Sequence, residues 1–149
     1  MGLDMYLTAK RYLSTYNAED KFLAEKVGNM PDLKNGLMRV KEVSCELMYW
    51  RKANAIHRWF VENVQENEDD CRSHYVPSEK LIELREMCSE ALKNRDKAGE
   101  LLPTQEGFFF GSTSIDDDYF VDMADTMFGL ENIEQLEADG WEFFYCSSW

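Results

Sequence analysis

The feature that most constrains the fold is a change of hydrophobic period near Arg51. Before it, side chains alternate between a face with Val43, Cys45, Leu47 and Tyr49 and a face with Ser44, Glu46, Met48 and Trp50. After it, apolar residues recur at helical spacing, at Ala53, Ile56, Phe60 and Val64. Period two is typical of a strand, and a spacing of three to four is typical of an amphipathic helix. We therefore predict a strand over 43–50 and a helix over about 51–65.

Similar patterns predict three further strands. Leu3, Met5 and Leu7 alternate within 3–13, and the apolar run 108–110 ends at Gly111. The last nine residues, 141–149, carry large rings on both faces. A terminal strand buried on both sides would explain those rings without any function.

Capping residues predict three further helices. Asn17 opens a short helix that stops at Gly28, and a loop follows over 28–36. Ser78 caps a second helix that ends before Pro103. Ser114 begins a third, with a bend at Gly129. The buried stripe of the second helix is predicted to be Leu81, Leu84, Cys88 and Ala91.

Strands and helices alternate without strict β-α-β regularity, which favours an α+β fold. The 149 residues contain no internal repeat and no Pro- or Gly-rich linker. We expect a single compact α+β domain over 1–149, with a small, mainly antiparallel sheet packed against about three to four helices. A chain of this length can bury a core without disulfide or metal staples.

Charge and composition exclude several classes of function. Asp and Glu number 29 against 16 Lys and Arg, a formal net charge of −13. This balance argues against direct binding of nucleic acid or of an anionic membrane surface. The four cysteines form no C-x-x-C pair and the start carries no secretion signal, so we expect reduced thiols in the cytoplasm. No cofactor is predicted.

One candidate ligand site is a polar set on the middle helix, formed by Arg51, Asn54, His57 and Arg58. Asn54 lies three residues from His57 and four from Arg58, so their side chains share one edge of a helix. Such a set suits an anionic or planar ligand, and a histidine also suits a general base. The alternative, which we favour, is that His57 borders the core and hydrogen-bonds to a backbone carbonyl while the arginines pair with carboxylates.

Ser112 and Thr113, within 111–114, form a second candidate. A small-residue loop before a helix can bind an anion through free backbone N–H groups. The loop lacks the phosphate-binding and dinucleotide-binding glycine patterns. The aspartates at 116–118 already complement the helix dipole and repel phosphate. A capped helix start is the better interpretation.

The acidic run 66–70 is a candidate partner-binding site, with Glu66, Glu68, Asp69 and Asp70. It follows the C-terminal end of the predicted middle helix, where the helix dipole disfavours negative charge. We rank a solvated loop first, an interaction surface second and a metal site third. If Trp149 is exposed, it is a candidate partner anchor, because tryptophans often dominate interfaces.

Zinc binding is not predicted, although Cys71-x-x-His74 and Cys88 supply three residues of the types that bind zinc. Structural zinc normally takes four ligands in paired spacings, and a second pair is missing here. Cys88 falls on a helical stripe and is better interpreted as a small buried hydrophobe. No metal site is therefore expected.

Several segments resemble a family of small proteins encoded by bacteriophages and prophages. They are Met1–Leu7, Tyr49–Asn54, Ile56–His57, Trp59–Val61, Leu101–Gln105, Gly107–Thr113 and Ser147–Trp149. These segments touch both ends and the middle of the chain. The resemblance implies a phage origin and expression inside a bacterial host, and it transfers no catalytic residue.

Two functions follow as hypotheses, and the sequence favours a non-enzymatic role. The first is an acidic accessory protein that binds a basic surface of a host or defence protein and inhibits or modulates it, for example by imitating nucleic-acid charge. The second is a small-ligand-binding protein or enzyme that uses Asn54, His57 and Arg58. The oligomeric state is left open.

Overall fold

The fold is built on one antiparallel sheet with helices on one side. The computed structural model describes residues 2–28 and 39–149, and its strands are β1 (Asp4–Tyr12), β2 (Glu42–Arg51), β3 (His74–Val76) and β4 (Glu142–Ser148). The order across the sheet is β2-β1-β4-β3. The helices are α1 (Ala18–Gly28), α2 (Asn54–Asn63), α3 (Ser78–Lys93), α4 (Ala98–Leu101), α5 (Asp117–Gly129) and α6 (Ile133–Ala138). The predicted α+β class is confirmed.

The sheet buries one face because its apolar residues alternate in register. Met5 lies opposite Trp50 on β2, and Leu7 lies opposite both Met48 on β2 and Tyr145 on β4. Directly paired residues of antiparallel strands point to the same side. These side chains form the floor of the core, and Met5, Leu7 and Tyr145 have no exposed surface.

Helices α2, α3 and α5 close the core over that face. The ring of Phe60 on α2 stacks on Tyr145 with a centroid distance of 3.8 Å. The indole N–H of Trp50 donates to Thr126 Oγ1 at 2.8 Å, which ties β2 to α5. The predicted stripe of α3 is confirmed, since Leu81, Leu84, Cys88 and Ala91 are all fully buried.

The alternation predicted for β2 holds only in part. Tyr49 lies opposite Tyr6, and Cys45 lies opposite Ala9. Ala9 faces the helices and Tyr6 faces away, so Cys45 and Tyr49 lie on opposite sides of the sheet. The reason is a shift of register between Leu7 and Thr8 that inserts one extra residue into β2.

The middle helix is shorter at both ends than predicted. It begins at Asn54 because Lys52 adopts a left-handed φ of 62° in a turn between β2 and α2. It ends at Asn63, and Glu66 and Asn67 then adopt φ values of 54° and 65°. A right-handed helix does not continue through such residues.

The predicted strand at Phe108–Phe110 is wrong, since these residues form a turn. The Phe110 N–H donates to the Gly107 carbonyl at 3.2 Å, and Gly111 has a φ of 88°. A Cβ on Gly107 would lie 2.4 Å from the Phe110 ring, so only glycine permits this close approach. Phe108 is 93 % exposed while Phe110 is buried, which explains why an apolar run is not a strand here.

Two of the predicted helix caps are wrong, and one is confirmed. Asn17 Oδ1 accepts from the Glu19 N–H at 2.8 Å at the start of α1, as expected. Ser78 is instead the first residue of α3, and its hydroxyl donates to Glu137. Asp116 caps α5 in place of Ser114, accepting from the Tyr119 N–H at 3.2 Å.

Several other boundaries differ from the prediction. The helix predicted to end before Pro103 already ends at Lys93, and a 3-10 turn at Arg95–Lys97 and then α4 connect it to Pro103. The helical stripe expected to bend at Gly129 is divided into α5 and α6. A Cβ at Gly129 would meet Met48 Sδ at 2.4 Å, so α5 ends in close contact with β2. Strand β3 was not predicted because three residues are too few to show a period.

The terminal strand is confirmed over Glu142–Ser148, but not its burial on both sides. Phe143 and Tyr145 are buried, whereas Phe144 and Cys146 on the other face are only partly covered. The loop predicted over 28–36 lies outside the described residues from position 29 onward. None of the helices in the described part of the chain has the length and apolar character that a bilayer crossing requires.

Candidate functional site

His57 lies in the first turn of α2 and is fully buried. Its Nδ1 is 2.7 Å from the Tyr145 hydroxyl on β4, and its Nε2 is 3.1 Å from the Asp69 carboxylate. An ionised carboxylate only accepts hydrogen bonds, so Nε2 carries the proton and the Tyr145 hydroxyl donates to Nδ1. The site is a continuous chain from Tyr145 through His57 to Asp69.

Burial favours the neutral form of His57. Burial lowers the pKa of His57, and the nearby Asp69 carboxylate opposes that effect only in part. The pKa of Tyr145 is raised well above its ordinary value by burial. Because His57 and Tyr145 are both enclosed, neither offers an atom to a reactant from solvent. The arrangement joins α2, β4 and the acidic run, and His57 bonds to side chains rather than to the predicted backbone carbonyl.

Asp69 also connects the acidic run to the end of the chain. Its Oδ1 accepts from the Trp149 indole N–H at 3.2 Å, and its Oδ2 accepts from Gln105 Nε2 at 3.4 Å. Trp149 remains 50 % exposed and packs edge-on against Phe110. The predicted anchor is therefore accessible on one side while its N–H already has an internal partner.

Asn54 organises the loop between α4 and α5. Its Nδ2 donates to the carbonyls of Phe110 at 3.0 Å and Ser112 at 2.7 Å, and its Oδ1 accepts from the Gln105 N–H at 3.2 Å. Both amide hydrogens and the carbonyl oxygen are thus engaged in a buried position. The residue fixes the path of the loop and has little capacity left for a ligand.

Three of the four remaining residues of the predicted ligand set, Arg58, Ser112 and Thr113, have internal partners too, and Arg51 is the exception among the described residues. Arg58 Nε donates to Glu62 at 2.7 Å, and its Nη1 donates to the Thr104 carbonyl at 3.2 Å. Ser112 Oγ accepts from the Ser114 N–H, and the Thr113 carbonyl accepts from a threonine hydroxyl. Arg58 and Thr113 lie outside the cleft that Ser112 lines, described below. The predicted set does not converge on one site.

The acidic run is partly neutralised from within. Asp70 accepts from His74 Nε2 at 2.7 Å and from Arg72 Nε at 2.6 Å, and these partners hold the pKa of its carboxyl well below the usual range. Arg72 also pairs with Glu68 at 3.2 Å. Of the four predicted partner-binding carboxylates, Glu66 and Glu68 are the exposed ones. Among the described residues, no group of three or more His, Cys, Asp or Glu is arranged to hold a metal ion.

A cleft of about 320 Å³ opens beside the start of α2. Its charged lining residues are Arg51, Lys52, Asp116, Asp118 and Asp122, and its uncharged ones include Asn54, Ala55, Gly111, Ser112 and Tyr119. The cations come from the turn between β2 and α2, and the carboxylates come from α5 and its N-cap. Clefts of this size with convergent polar groups are typical of ligand sites.

Asp122 is the least exposed of the cleft carboxylates. Burial, followed by repulsion from Asp125, Asp118 and Asp116, raises its pKa to about 7. The unfolded chain ionises this group near its ordinary value of about 3.9. Between these two values the folded protein holds a proton that the unfolded chain has lost. The associated stability is therefore lost progressively as the pH rises from about 4 to about 7, and the loss is complete above that range.

Replacing Asp122 with asparagine is expected to raise the free energy of unfolding at pH 8 by about 1 to 2 kcal/mol, after allowance for solvent screening. At pH 3.5 the two proteins should differ little, because the carboxyl is then mostly neutral in both the folded and the unfolded states. Urea unfolding at both pH values measures this difference. Asp96→Asn, at an exposed position in the 3-10 turn, is the control. An equal gain at both pH values would contradict the raised pKa.

The face of the sheet turned away from the helices carries a row of aromatic rings. Tyr6 contacts Tyr49 at a centroid distance of 5.4 Å, and Tyr75 contacts Phe144 at 5.8 Å. We call this surface the open face, defined by Tyr6, Tyr12, Tyr49, Tyr75 and Phe144 with the charged residues Asp4, Lys10, Glu42, Glu46 and Glu142. The core cluster found among the described residues includes none of these ten. Arg51, at the end of β2, lies opposite Asp4 at the edge of this face.

No protein-family model, curated protein or solved structure matches this chain. Of the predicted ligand residues, the cleft combines Arg51, Asn54 and Ser112. Lys52 and Asp122 were missed because they lie far apart in sequence and only the fold brings them to one cleft. The sequence did contain a signal for the rings of the open face, since Tyr6 and Tyr12 lie on the polar side of the alternation in β1.

Proposed function

We propose that this protein is an acidic interaction protein that binds a basic protein partner through the open face of its sheet. The observation that carries the proposal is the combination of five aromatic rings with four carboxylates and one lysine on that face. Monomeric proteins rarely leave such rings together without a role in contacts. Tyrosine is also among the residues that most often dominate an interface.

The chemistry of the open face suits arginine and lysine side chains. Aromatic faces attract cations, and guanidinium groups also stack on them. The face already holds one such contact, since the Lys10 ammonium lies 4.9 Å from the centroid of the Phe144 ring. Carboxylates beside the rings, at Asp4, Glu46 and Glu142, offer salt-bridge partners to the same groups. A basic segment can therefore be held by two kinds of contact at once.

The overall charge of −13 supports the same class of partner, because it steers a basic surface toward the protein from a distance. In the setting implied by the resemblance to phage proteins, the partner is a host or defence protein with a basic surface, in the bacterial cytoplasm. Within the acidic run, Asp69 and Asp70 have internal partners. We therefore place the centre of the interface on the open face and leave Glu66, Glu68 and Trp149 as secondary contacts.

Single-stranded nucleic acid is the alternative ligand for an aromatic sheet face, because bases stack on such rings. That mode of binding also needs a positively charged track for the phosphates. The open face carries four carboxylates against Lys10. The charge therefore favours a basic protein over a nucleic acid.

The test uses a labelled octa-arginine peptide as the probe, with an oligothymidine strand as the competing ligand. The peptide is expected to bind in a salt-dependent manner and to shift the amide resonances of β1 and β4. Tyr49→Ala and Tyr75→Ala, at rings that are 46 % and 55 % exposed, should each weaken binding about tenfold. Glu142→Lys should do the same through repulsion.

Phe108→Ala and Glu106→Lys are the matched controls, since both residues are exposed and lie in the loop before α5. They should leave peptide binding unchanged. Equal weakening by Glu106→Lys would mean that net charge alone drives binding, and equal weakening by Phe108→Ala would mean that any exposed ring is sufficient. Either result would contradict the proposed face. Tighter binding of oligothymidine than of the peptide would support the nucleic-acid alternative instead. Affinity capture from host lysate with wild-type protein and Tyr49→Ala then identifies partners that depend on the open face.

A further inference from the structure

We propose that the cleft beside α2 binds a small molecule that carries both an anionic group and an ammonium group, such as an amino acid. Arg51 and Lys52 would hold the anion, and Asp116, Asp118 and Asp122 would hold the ammonium. The proposal does not rest on the protein interface, because it concerns a separate cavity, although Arg51 lies opposite Asp4 at the edge of the open face.

The first argument is the separation of opposite charges across one cavity. Ion pairs among the described residues involve Arg11, Arg58, Arg72, Lys80 and Arg85, together with the two histidines, and neither Arg51 nor Lys52 takes part. Both cations and three carboxylates line the cleft, but no nitrogen of the two cations lies within 4 Å of an oxygen of these carboxylates. A ligand with two opposite charges completes the interactions that these side chains leave open.

The turn before α2 fixes the position of the cationic side of the cleft. Lys52 has a left-handed φ of 62°, and its N–H donates to the Leu3 carbonyl at 2.8 Å. Its aliphatic stem lies along Gly111, where an added Cβ would meet Lys52 Cβ at 3.1 Å. Asn54 holds the facing loop through the Ser112 carbonyl. These contacts fix the backbone that carries the two cations. Less free energy is therefore lost in ordering it when a ligand binds.

The mixture of charges selects against singly charged ligands. An isolated anion at Arg51 would face the repulsion of the nearby carboxylates, and an isolated amine would face the repulsion of the two cations. A zwitterion has neither disadvantage. The cavity of about 320 Å³ is at the lower end for ligand sites, which fits a molecule of amino-acid size.

The protonation state of Asp122 adds a pH signature. Its raised pKa, about 7, arises from burial and from Asp125, Asp118 and Asp116 on α5 and its N-cap. Arg51 and Lys52 face the same cavity from the other side. Above pH 7 the carboxyl is ionised and attracts an ammonium group, and below it the attraction weakens. Affinity for the zwitterion should therefore rise between pH 6 and pH 8.

The experiment titrates isotope-labelled protein with ω-amino acids of increasing chain length, from glycine to the compound with five methylene groups, and follows amide chemical shifts. One chain length is expected to bind best, because the distance between the two charges of the ligand must match the distance between the cationic and the acidic sides of the cleft. Aminoethyl phosphate distinguishes a phosphate from a carboxylate as the preferred anion. Butylamine and propionate, each with one charge, should bind at least about tenfold more weakly.

Variants then separate the proposal from nonspecific charge effects. Arg51→Gln and Asp122→Asn should each weaken the best ligand about tenfold, and Asp122→Asn should also abolish the rise between pH 6 and pH 8. Lys93→Gln and Asp96→Asn alter the same charges at a distant surface around the end of α3 and should have no effect. Amide spectra report whether each variant is folded. Equal affinity for zwitterions and singly charged compounds, or no shift at the cleft with any compound, would overturn the proposal.

Discussion

Replacing His57 with alanine is expected to lower the free energy of unfolding by about 3 to 5 kcal/mol. The substitution leaves a cavity at a fully buried position and removes the acceptor of the buried Tyr145 hydroxyl. It also leaves the Asp69 carboxylate without its histidine partner. Urea unfolding followed by circular dichroism measures the change, provided that the slope with denaturant stays constant.

His74→Ala is the matched control, because it removes the chain's other histidine from a partly exposed position. We expect it to cost about 1 kcal/mol or less near neutral pH. A loss of that small size for His57→Ala as well would show that the chain from Tyr145 to Asp69 does not stabilise the fold.

The His57 variant should also change how stability depends on pH. The unfolded chain protonates this histidine near pH 6.5, and the folded protein does so only at lower pH, because burial lowers its pKa. Wild-type stability from this group is therefore fully present above about pH 7 and declines as the pH falls below 6.5. The difference between wild type and His57→Ala should shrink over the same range.

Replacing Asn54 with alanine is expected to cost about 2 to 4 kcal/mol. It leaves three backbone groups without their partner, namely the carbonyls of Phe110 and Ser112 and the N–H of Gln105. Buried polar groups that lose a hydrogen bond cost about 1 to 3 kcal/mol each, and the exposed part of the loop recovers some bonds with water. The amide of Gln105 should exchange much faster with solvent, which hydrogen exchange measures directly.

Asn63→Ala provides the comparison on the same helix, since its side chain makes a single bond to the Trp59 carbonyl at 2.9 Å. That variant should lose less than about 1 kcal/mol and leave the Gln105 amide protected. If Asn54→Ala behaves in the same way, the loop between α4 and α5 does not depend on this side chain. The geometry of the proposed cleft would then need another source of support, because Ser112 lines it.

The elements that were predicted correctly are those in which the hydrophobic repeat continues over several residues. The alternation at Leu3, Met5 and Leu7 fixes β1, and the stripe through Leu81 and Cys88 fixes α3. The errors have local causes that a period does not reveal. Glycines at 107 and 111 turn an apolar run into a loop. One inserted residue in β2 places Cys45 and Tyr49 on opposite faces of the sheet.

The candidate sites were less predictable than the fold. Sequence spacing correctly placed Asn54, His57 and Arg58 on one helix, but it could not show that each has a different internal partner. Arg58 pairs locally with Glu62, four residues away, while His57 meets a tyrosine 88 residues away. The rings of the open face lie on four strands and become one surface only when the sheet forms.

By itself, the sequence determined the α+β class, the main helices and strands and the acidic balance of −13. These properties follow from local periodicity and from composition, which do not depend on where distant residues meet. Only the tertiary structure decided that Asp69 lies against His57, that Arg51 and Asp122 share a cleft, and that the tyrosines share one open face. The physical reason is that burial, pairing and pKa depend on distances through space, and the strand order β2-β1-β4-β3 sets those distances.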